Sequence, residues 1–479
     1  MEINLLPLLP AAELALTALV ILLLDLFLKP DEKPMLAWIS ILGCGIAAAL
    51  TFFLWNTHES AFRNTLVLDK FALFFTDLFI AAAILTVLSS VQYLKETGIR
   101  PGEFHALILF ATLGMVLMAS ANDLIVLFLG IETMSIAVYV LTGMWRERSQ
   151  ASEAAMKYFV VGSFATGFLL YGIALLFGAA GSTQLSHIAA FLSQASPDGS
   201  PLATAGAHLL LIGLAFKVAA APFHFWAPDV YEGAPTSVTA FMAVAVKASA
   251  FAAWARVFLH QLAPMSADWD TVVWTLAILT MTVGNLLALG QTSVKRMLAF
   301  SSVAHAGYLL VGVVAGDEAG GAALLFYLLS YSAMSFGAFA VLLALKKGPE
   351  ENEQYSHFAG LGFKRPFLAL AMSVFMLSLA GFPPLGGFTG KFYIFRSAIL
   401  AGHTELAVIA VLNSLLSVAY YLRVIVMMYM EEGGVEAKSF RNSPYLYLAI
   451  LSALVGTLYL GLLPGPALEL SRVSFLSLR

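Results

Sequence analysis

Long apolar runs recur along almost the whole chain. A run of about 20 apolar residues is long enough to cross the roughly 30 Å hydrocarbon layer of a bilayer as a helix. Fourteen such runs lie at residues 5–28, 35–55, 71–94, 104–120, 123–143, 155–180, 205–227, 236–260, 269–290, 295–316, 320–345, 366–400, 404–430 and 444–465. The pattern predicts an all-α polytopic membrane protein with about fourteen transmembrane helices, forming a single transmembrane domain over residues 1–479.

The composition excludes a water-soluble fold. Hydrophobic residues make up 60% of the chain and charged residues 11%, whereas a soluble domain carries about 25% charged residues. The net charge of −4 indicates no nucleic-acid partner. The single cysteine, Cys44, cannot form an internal disulfide or hold an iron–sulfur cluster. No phosphate-binding P-loop and no strand followed by GxGxxG occurs. We therefore expect any coupled redox chemistry to take place outside this chain.

The basic residues of the loops predict an orientation, because cytoplasmic loops are enriched in Lys and Arg. Loops after odd-numbered spans carry fourteen: Lys29, Lys33, Lys95, Arg100, Arg146, Arg148, Lys295, Arg296, Lys346, Lys347, Lys364, Arg365, Lys438 and Arg441. Loops after even-numbered spans and the termini carry four: Arg63, Lys70, Arg472 and Arg479. This asymmetry predicts a multi-pass protein of the bacterial inner membrane with both termini periplasmic.

Two spans contain helix-breaking residues in their interior. The seventh contains Pro222, and the twelfth contains the sequence GFPPLGG at residues 381–387. Proline removes a backbone donor and clashes with the preceding turn, so both helices should break. Interrupted helices at corresponding positions of two halves point to a transporter path. Lying five spans apart, they suggest a repeat of spans 4–8 (104–260) and 9–13 (269–430), between spans 1–3 (5–94) and the last span (444–465).

Five ionisable residues lie deep within predicted spans: Glu132, Lys217, Lys247, His305 and Lys391. A charge at the centre of a membrane helix costs about 2.5–3.5 kcal/mol on insertion scales, so such residues are retained when they are paired, hydrated or functional. Desolvation lowers the pKa of a lysine and a nearby carboxylate raises it. A carboxylate that approaches or leaves a buried lysine therefore switches whether the lysine holds its proton. The five residues predict a proton relay, with Glu132 and Lys217 as the switch.

Other interpretations of these residues remain open. Glu132 and Lys217 could form a static ion pair, and His305 could be a polar contact between helices. We expect Asp25, Lys157, Arg256 and Arg396, which lie near span ends, to be solvated. Asp77 and Arg423 have no neighbouring motif, and His224 could line a cavity at the seventh span. A second class of function is a haem-binding electron carrier, with ligands among His105, His208 and His260.

Three long segments resemble a known family. Residues 221–235 (APFHFWAPDVYEGAP, preceded by Phe216 and Lys217), 295–308 (KRMLAFSSVAHAGY) and 379–393 (LAGFPPLGGFTGKFY) are similar to the antiporter-like membrane subunits of respiratory complex I, the proton-pumping NADH–quinone oxidoreductase. The resemblance covers nearly the whole chain. It implies two inverted five-helix repeats. Subunits of multi-component sodium/proton antiporters share this fold and are the main alternative, and the segment 229–235 favours the respiratory family.

The resemblance also implies a role for each of the five residues. Glu132 and Lys217 correspond to the coupling pair, Lys247 and His305 to the central relay, and Lys391 to the terminal donor toward the periplasm. Glu153 and Lys157 match positions near the cytoplasmic side. The chain would be a non-redox subunit that binds no cofactor and catalyses nothing alone. NADH, FMN, iron–sulfur clusters and quinone would bind to partner subunits, which it meets in the lipid bilayer.

Overall fold

The computed structural model describes residues 4–194, 200–345, 353–432 and 443–478, and almost all of them are helical. Five basic residues used for the predicted orientation, Lys346, Lys347, Lys438, Arg441 and Arg479, lie outside the described residues.

Nineteen helices occur in the described residues, in chain order α1 Leu6–Asp25, α2 Met35–Phe53, α3 Lys70–Thr97, α4 Pro101–Ser120, α5 Leu124–Thr142, α6 Ser149–Ala180, α7 Leu185–Gln194, α8 Pro201–Lys217, α9 Trp226–Gly233, α10 Thr236–Gln261, α11 Ala263–Leu289, α12 Val294–Ala315, α13 Glu318–Ala344, α14 Leu361–Lys364, α15 Pro366–Ala380, α16 Gly386–Leu400, α17 Thr404–Met430, α18 Pro444–Leu462 and α19 Pro464–Leu476. A 3-10 turn spans Tyr355–Phe358. Two short strands, β1 Glu59–Ala61 and β2 Leu66–Leu68, form an antiparallel hairpin.

Twelve helices are long and apolar enough to cross a membrane: α1–α6, α10–α13, α17 and α18. The shorter apolar helices α8 and α15 lie in the two spans that the sequence predicts to be interrupted. Together they account for all fourteen predicted spans. The prediction of an all-α polytopic membrane fold is therefore confirmed.

Both predicted helix breaks are present. Helix α8 ends at Lys217, so the first break covers the eight residues between α8 and α9 rather than only the neighbourhood of Pro222. Its freed backbone is satisfied by a neighbouring helix, since the Ala221 amide donates a 2.9 Å bond to Thr280 Oγ1 on α11. The second break separates α15 from α16 and begins at Gly381, whose φ of 94° favours glycine.

The centre of the bundle is formed by α10 and α12, which are buried along their membrane lengths. Helices α11 and α12 cross closely because glycines lie at the contact. A Cβ on Gly284 would stand 2.5 Å from the Ala304 nitrogen, and one on Gly307 would stand 2.4 Å from the Met281 nitrogen. The outer helices present apolar side chains outward, as expected of a lipid-facing surface.

Several elements are absent from the sequence prediction. Helices α7, α9 and α19 and the hairpin β1–β2 are too short or too polar to give a membrane-span signal. The hairpin turn is anchored by Asn122, whose side chain donates a 2.9 Å bond to the carbonyl of Asn64. Arg63 and Asn64 both have positive φ, which produces the tight turn.

Candidate functional site

Glu132 and Lys217 approach each other through α5 but do not form a direct ion pair. The Lys217 ammonium, at the C-terminal end of α8, donates a 2.7 Å hydrogen bond to Ser135 Oγ. Ser135 follows Glu132 by three residues, so the two share one face of α5. The Glu132 carboxylate accepts a 2.8 Å bond from Thr166 Oγ1 on α6. The static ion pair considered from the sequence is therefore not the observed arrangement.

Lys247 lies on α10 directly after a π-helical stretch, Met242–Val246. Such stretches are rare in proteins, and those that occur are often found at functional sites. The Lys247 ammonium contacts α12 through the carbonyl of Ser302 and through Ser302 Oγ, the latter at 2.5 Å. It also lies 5.8 Å from the centroid of the Tyr331 ring on α13. Lys247 thus joins α10 to the helix that carries His305.

His305 is held between two tyrosine hydroxyls. Its Nδ1 lies 2.6 Å from Tyr327 Oη on α13, and its Nε2 lies 3.0 Å from Tyr421 Oη on α17. Tyr421 Oη also contacts Ser301 Oγ at 2.5 Å. Both ring nitrogens therefore have hydroxyl partners, and each hydroxyl is both a donor and an acceptor. This arrangement accommodates either neutral tautomer of the imidazole.

Lys391 is a residue of α16, and its side chain reaches the second break, where α15 ends. Its ammonium donates to the carbonyls of Leu379 and Ala380 at 2.8 and 3.2 Å and to Ser414 Oγ at 2.9 Å. The terminal carbonyls of α15 have no partner within the helix and carry the negative end of its dipole, so they favour a cation. The absence of a Cβ at Gly381 leaves room for this contact, since a Cβ there would lie 3.2 Å from Lys391 Cδ.

A buried amide binds the tyrosine that lies next to both His305 and Lys391. Asn285, on α11, donates a 2.9 Å bond to Tyr308 Oη and accepts a 2.8 Å bond from Tyr420 Oη. The Tyr308 ring lies 5.6 Å from the His305 ring and 4.9 Å from the Lys391 ammonium. Tyr308 therefore lies between the central and terminal members of the predicted relay.

The three buried lysines share one property. Lys217, Lys247 and Lys391 are each 3% exposed. Among the residues that the structure describes, no carboxylate lies within ion-pair distance of any of the three. Their hydrogen bonds go to serine hydroxyls and backbone carbonyls. Each cationic form is therefore stabilised by dipoles rather than by a fixed counter-ion.

One prediction about the secondary candidates is wrong. Arg256 is not solvated but 3% exposed. Its Nη2 contacts both carboxylate oxygens of Asp69 at 3.0 and 2.9 Å, and its Nε donates a 2.8 Å bond to the carbonyl of Ala119. Arg256 lies within the π-helical end of α10, whose packing against α3 and α4 encloses it. Lys157 and Arg396 are exposed, as expected, whereas Asp25 is only partly exposed and pairs with Lys33 at 2.9 Å.

A cluster of charged residues surrounds a cavity of about 650 Å³ at one end of the bundle. Lys157 contacts Glu153 at 2.8 Å and Asp229 at 2.9 Å, and Arg296 contacts Asp229 at 2.9 Å and Glu232 at 2.6 Å. Burial acts to raise the pKa of Asp229, but the bonds from Lys157 and Arg296 outweigh it and hold the pKa below its usual value. The cluster ties α6, α9 and α12 together.

Some partners of the candidate residues could have been found from the sequence and others could not. Ser135 and Ser302 lie three residues from Glu132 and His305, and this helical spacing places each pair on one face. Tyr327, Tyr421 and Asn285 come from other helices and carry no local signal. Of the histidines considered as haem ligands, His208 contacts the Thr204 carbonyl of its own helix at 2.7 Å.

The fold, with its two interrupted helices, is that of an antiporter-type membrane subunit. Residues 121–417 match the family described as "NADH:quinone oxidoreductase/Mrp antiporter, TM". The chain belongs to this family and, within it, to the subunit N group of NADH–quinone oxidoreductase. The sequence favours this paralogue through residues 229–235 and through Lys391, where subunit M usually has glutamate, and that prediction is confirmed.

The relatives cover nearly the whole chain. "NADH-quinone oxidoreductase subunit N" of Trichlorobacter lovleyi is 48% identical over 470 residues, covering 98% of this chain and 96% of the relative. The protein of that name from Chloroflexus aggregans is 47% identical over 457 residues, covering 95% and 93%. Both relatives therefore match this chain over nearly its whole length.

Solved structures share the fold. A chain of respiratory complex I from Thermus thermophilus, solved with bound aureothin, matches with a TM-score of 0.82 and 38% identity, covering 96% of this chain and 98% of that one. A chain of the Mrp complex from Dietzia sp. DQ12-45-1b matches with a TM-score of 0.84 at 22% identity, covering 98% and 97%, which shows the fold alone.

Proposed function

We propose that this chain translocates protons as a membrane subunit of NADH–quinone oxidoreductase. Quinone reduction elsewhere in the complex drives transfer along a relay formed by Glu132, Lys217, Lys247, His305 and Lys391. Glu132 and Lys217 act as the switch, Lys247 and His305 carry the proton through the centre, and Lys391 releases it toward the periplasm.

One observation carries the proposal. Each relay lysine is buried, and its ammonium contacts only neutral oxygens and aromatic rings among the described residues. A buried lysine without a fixed counter-ion changes its protonation state readily. A purely structural lysine at membrane depth would instead be expected to have a permanent partner. The arrangement therefore suits groups that take up and release protons in turn.

The substitution Lys247→Met tests the relay. Methionine is apolar and of similar length, so it removes the proton carrier without adding a buried charge. The complex, reconstituted in vesicles, should assemble but take up fewer protons per quinone reduced. Lys29→Met, at a loop between α1 and α2, is the matched control and should pump normally. Full stoichiometry in an assembled Lys247→Met complex would contradict the proposal.

The chain works with partners in this proposal. The other membrane subunits of the complex pack against it in the bilayer, and NADH, FMN, iron–sulfur clusters and quinone bind to partner subunits. The purified chain alone should neither oxidise NADH nor reduce quinone. Turnover of NADH by the isolated chain would show that it holds redox chemistry of its own.

We also infer a two-repeat architecture with both termini periplasmic. Helices α4 and α5 cross at Gly114 and Gly130, where a Cβ would come within 2.5 and 2.8 Å of the opposite helix. Helices α11 and α12 cross in the same way five spans later, which supports repeats over 104–260 and 269–430. A reporter enzyme that works only in the periplasm should be active when it is fused after Arg479. Activity of a reporter that works only in the cytoplasm, fused at the same position, would overturn the orientation.

The alternative function is that of a subunit in a multi-component sodium/proton antiporter. The family description names both classes of protein, and a chain of the Mrp complex shares the fold. The identity of 48% to a relative named as subunit N favours the respiratory role. Genes for quinone oxidoreductase subunits beside this one would support the proposed function, and antiporter genes would support the alternative.

A further inference from the structure

A second cavity, of about 440 Å³, opens beside the first half of the bundle. It lies between the loops that follow the third and fifth spans, which the charge count predicts to be cytoplasmic. Its lining includes Thr97, Arg100, Glu103, Tyr139, Gly143 and Glu147. Polar and charged groups at its mouth make it suited to hold water. The cavity adjoins the one in the charged cluster around Asp229, because Trp145 and Glu147 line both.

Tyr139 connects this cavity to the relay. It lines the cavity, and the centroid of its ring lies 5.8 Å from the Lys217 ammonium. Tyr139 is 7% exposed, and its hydroxyl is buried without a hydrogen-bond partner among the described residues. The hydroxyl rests against Gly162 on α6, where a Cβ would come within 2.1 Å of it. A buried hydroxyl normally has a partner or a bound water.

A second hydroxyl on α5, that of Ser135, also lies next to Lys217. Ser135 lies one helical turn before Tyr139 on α5, and its Oγ accepts the 2.7 Å bond from Lys217. Tyr139 and Ser135 therefore present two hydroxyls on one face of α5, next to the same ammonium. Of the residues that touch Lys217, Tyr139 is also part of the cavity wall.

We propose that Tyr139 positions the water that delivers protons from this cavity to Lys217. Water between the hydroxyls of Tyr139 and Ser135 passes a proton to the neutral amine of Lys217, and the ammonium forms. The water regains a proton from water in the cavity, which takes up a proton from the bulk solution on that side, so the net change is the uptake of one proton by Lys217. This inference rests on the proposed relay and identifies the route by which protons reach Lys217 from one side of the membrane.

Thiol labelling tests the path independently of pumping. The single cysteine, Cys44, is buried and is first replaced by alanine. The Tyr139→Cys variant of the assembled complex should react with a charged methanethiosulfonate added on the side of the cavity. Ile136→Cys is the matched control, because Ile136 is 57% exposed on the same helix and does not line the cavity. Its thiol would lie on the apolar outer surface of α5, where the reactive thiolate is disfavoured, so it should react about tenfold more slowly or not at all.

Each outcome of the labelling has a meaning. Faster reaction at position 139, from the side of the cavity only, supports the path. Equal reaction at both positions, reaction from the opposite side, or no reaction at position 139 overturns it.

Pumping by two Tyr139 variants separates water positioning from ring packing. The ring packs edge-on against Tyr158 at 4.8 Å. If packing were its role, Tyr139→Phe would pump normally and Tyr139→Gln would fail. The proposal predicts the opposite order: Tyr139→Phe should lose about tenfold or more in pumping rate, as when a positioned proton-transfer group is removed, and Tyr139→Gln should recover at least part of it.

Tyr355→Phe is the control for loss of a hydroxyl. Among the described residues, the buried Tyr355 hydroxyl also has no hydrogen-bond partner, and Tyr355 lies in the connection between α13 and α14. The complex that carries Tyr355→Phe should pump normally. Normal pumping by Tyr139→Phe together with failure of Lys217→Arg would overturn this path and leave the proposed function intact. Normal pumping by both would contradict the relay itself.

Discussion

Lys217 Nζ donates a 2.7 Å hydrogen bond to Ser135 Oγ, one helical turn along α5 from Glu132. The carboxylate of Glu132 is engaged with Thr166 on α6 instead. Lys217 and Glu132 therefore occupy one region without direct contact. A rotation of either side chain, or a small shift of α5 against α8, would change the separation of the two charges. This geometry suits a switch better than a fixed pair.

Loss of the terminal lysine should impair pumping without unfolding the complex. Lys391→Ala removes a charge that is held by Ser414, by two carbonyls at the end of α15 and by the Tyr308 ring. Those carbonyls are at a helix end and accept bonds from water when the cation is gone. We expect assembly as in the wild type, with proton uptake during quinone reduction reduced severalfold. An assembled variant that pumps at the full rate would exclude Lys391 as the terminal donor.

Tyr421 should contribute both to stability and to transfer. Tyr421→Phe leaves Nε2 of His305 without its hydroxyl partner, and an unsatisfied buried group costs about 1–3 kcal/mol. We expect lower thermal stability of the solubilised complex and reduced pumping. Tyr459→Phe, at an exposed position on α18, should change neither. Unchanged stability and pumping in the Tyr421 variant would mean that His305 finds another partner.

We expect the buried Arg256–Asp69 pair to stabilise the fold without taking part in proton transfer. Arg256→Met leaves Asp69 buried without its cation, which costs about 3–5 kcal/mol. Adding Asp69→Asn removes the uncompensated charge and should restore part of the loss in thermal unfolding experiments. Protons pumped per quinone reduced should remain at the wild-type value in whatever fraction assembles. A lowered ratio would place Arg256 in the relay instead.

Asp229 should give the charged cluster an acid-sensitive contribution. The pKa of Asp229 is lowered in the folded state, because the bonds from Lys157 and Arg296 outweigh the effect of burial. A carboxyl group whose pKa is lowered by folding stabilises the folded state at pH values above its pKa in the unfolded chain, which is about 3.9 for aspartate. The wild type should be more stable than Asp229→Asn at neutral pH, and this advantage should shrink as the pH falls through the folded pKa. Thermal unfolding at stepped pH measures it, and a pH-independent difference would rule out this origin.

The sequence predicts most of the fold because membrane spans are a local property. The fourteen apolar runs and the breaks near Pro222 and Gly381 follow from residues adjacent in the chain. The burial of Lys217, Lys247 and Lys391 follows in the same way, from their distance to the span ends. Their roles as relay groups remain predictions.

Contacts between helices cannot be predicted from local sequence patterns. Arg256 looks like a span-end residue, yet packing against α3 buries it beside Asp69. His305 gains Tyr421 from a helix more than a hundred positions away in the chain. The separation of Glu132 from Lys217 depends on how α5 and α8 pack. Such residue pairs depend on how the helices pack, and no hydrophobic periodicity or short motif in the sequence indicates that packing.

The most direct test of the account is proton uptake by vesicles containing the Lys217→Arg complex during quinone reduction, with assembly verified separately. A guanidinium keeps the charge but does not release its proton in this pH range. The account predicts quinone reduction with little or no pumping through this subunit, while Lys29→Arg, a matched change in a loop, pumps normally. Wild-type pumping by a well-assembled Lys217→Arg complex would show that Lys217 never needs to release its proton, and the proposed switch would have to be abandoned.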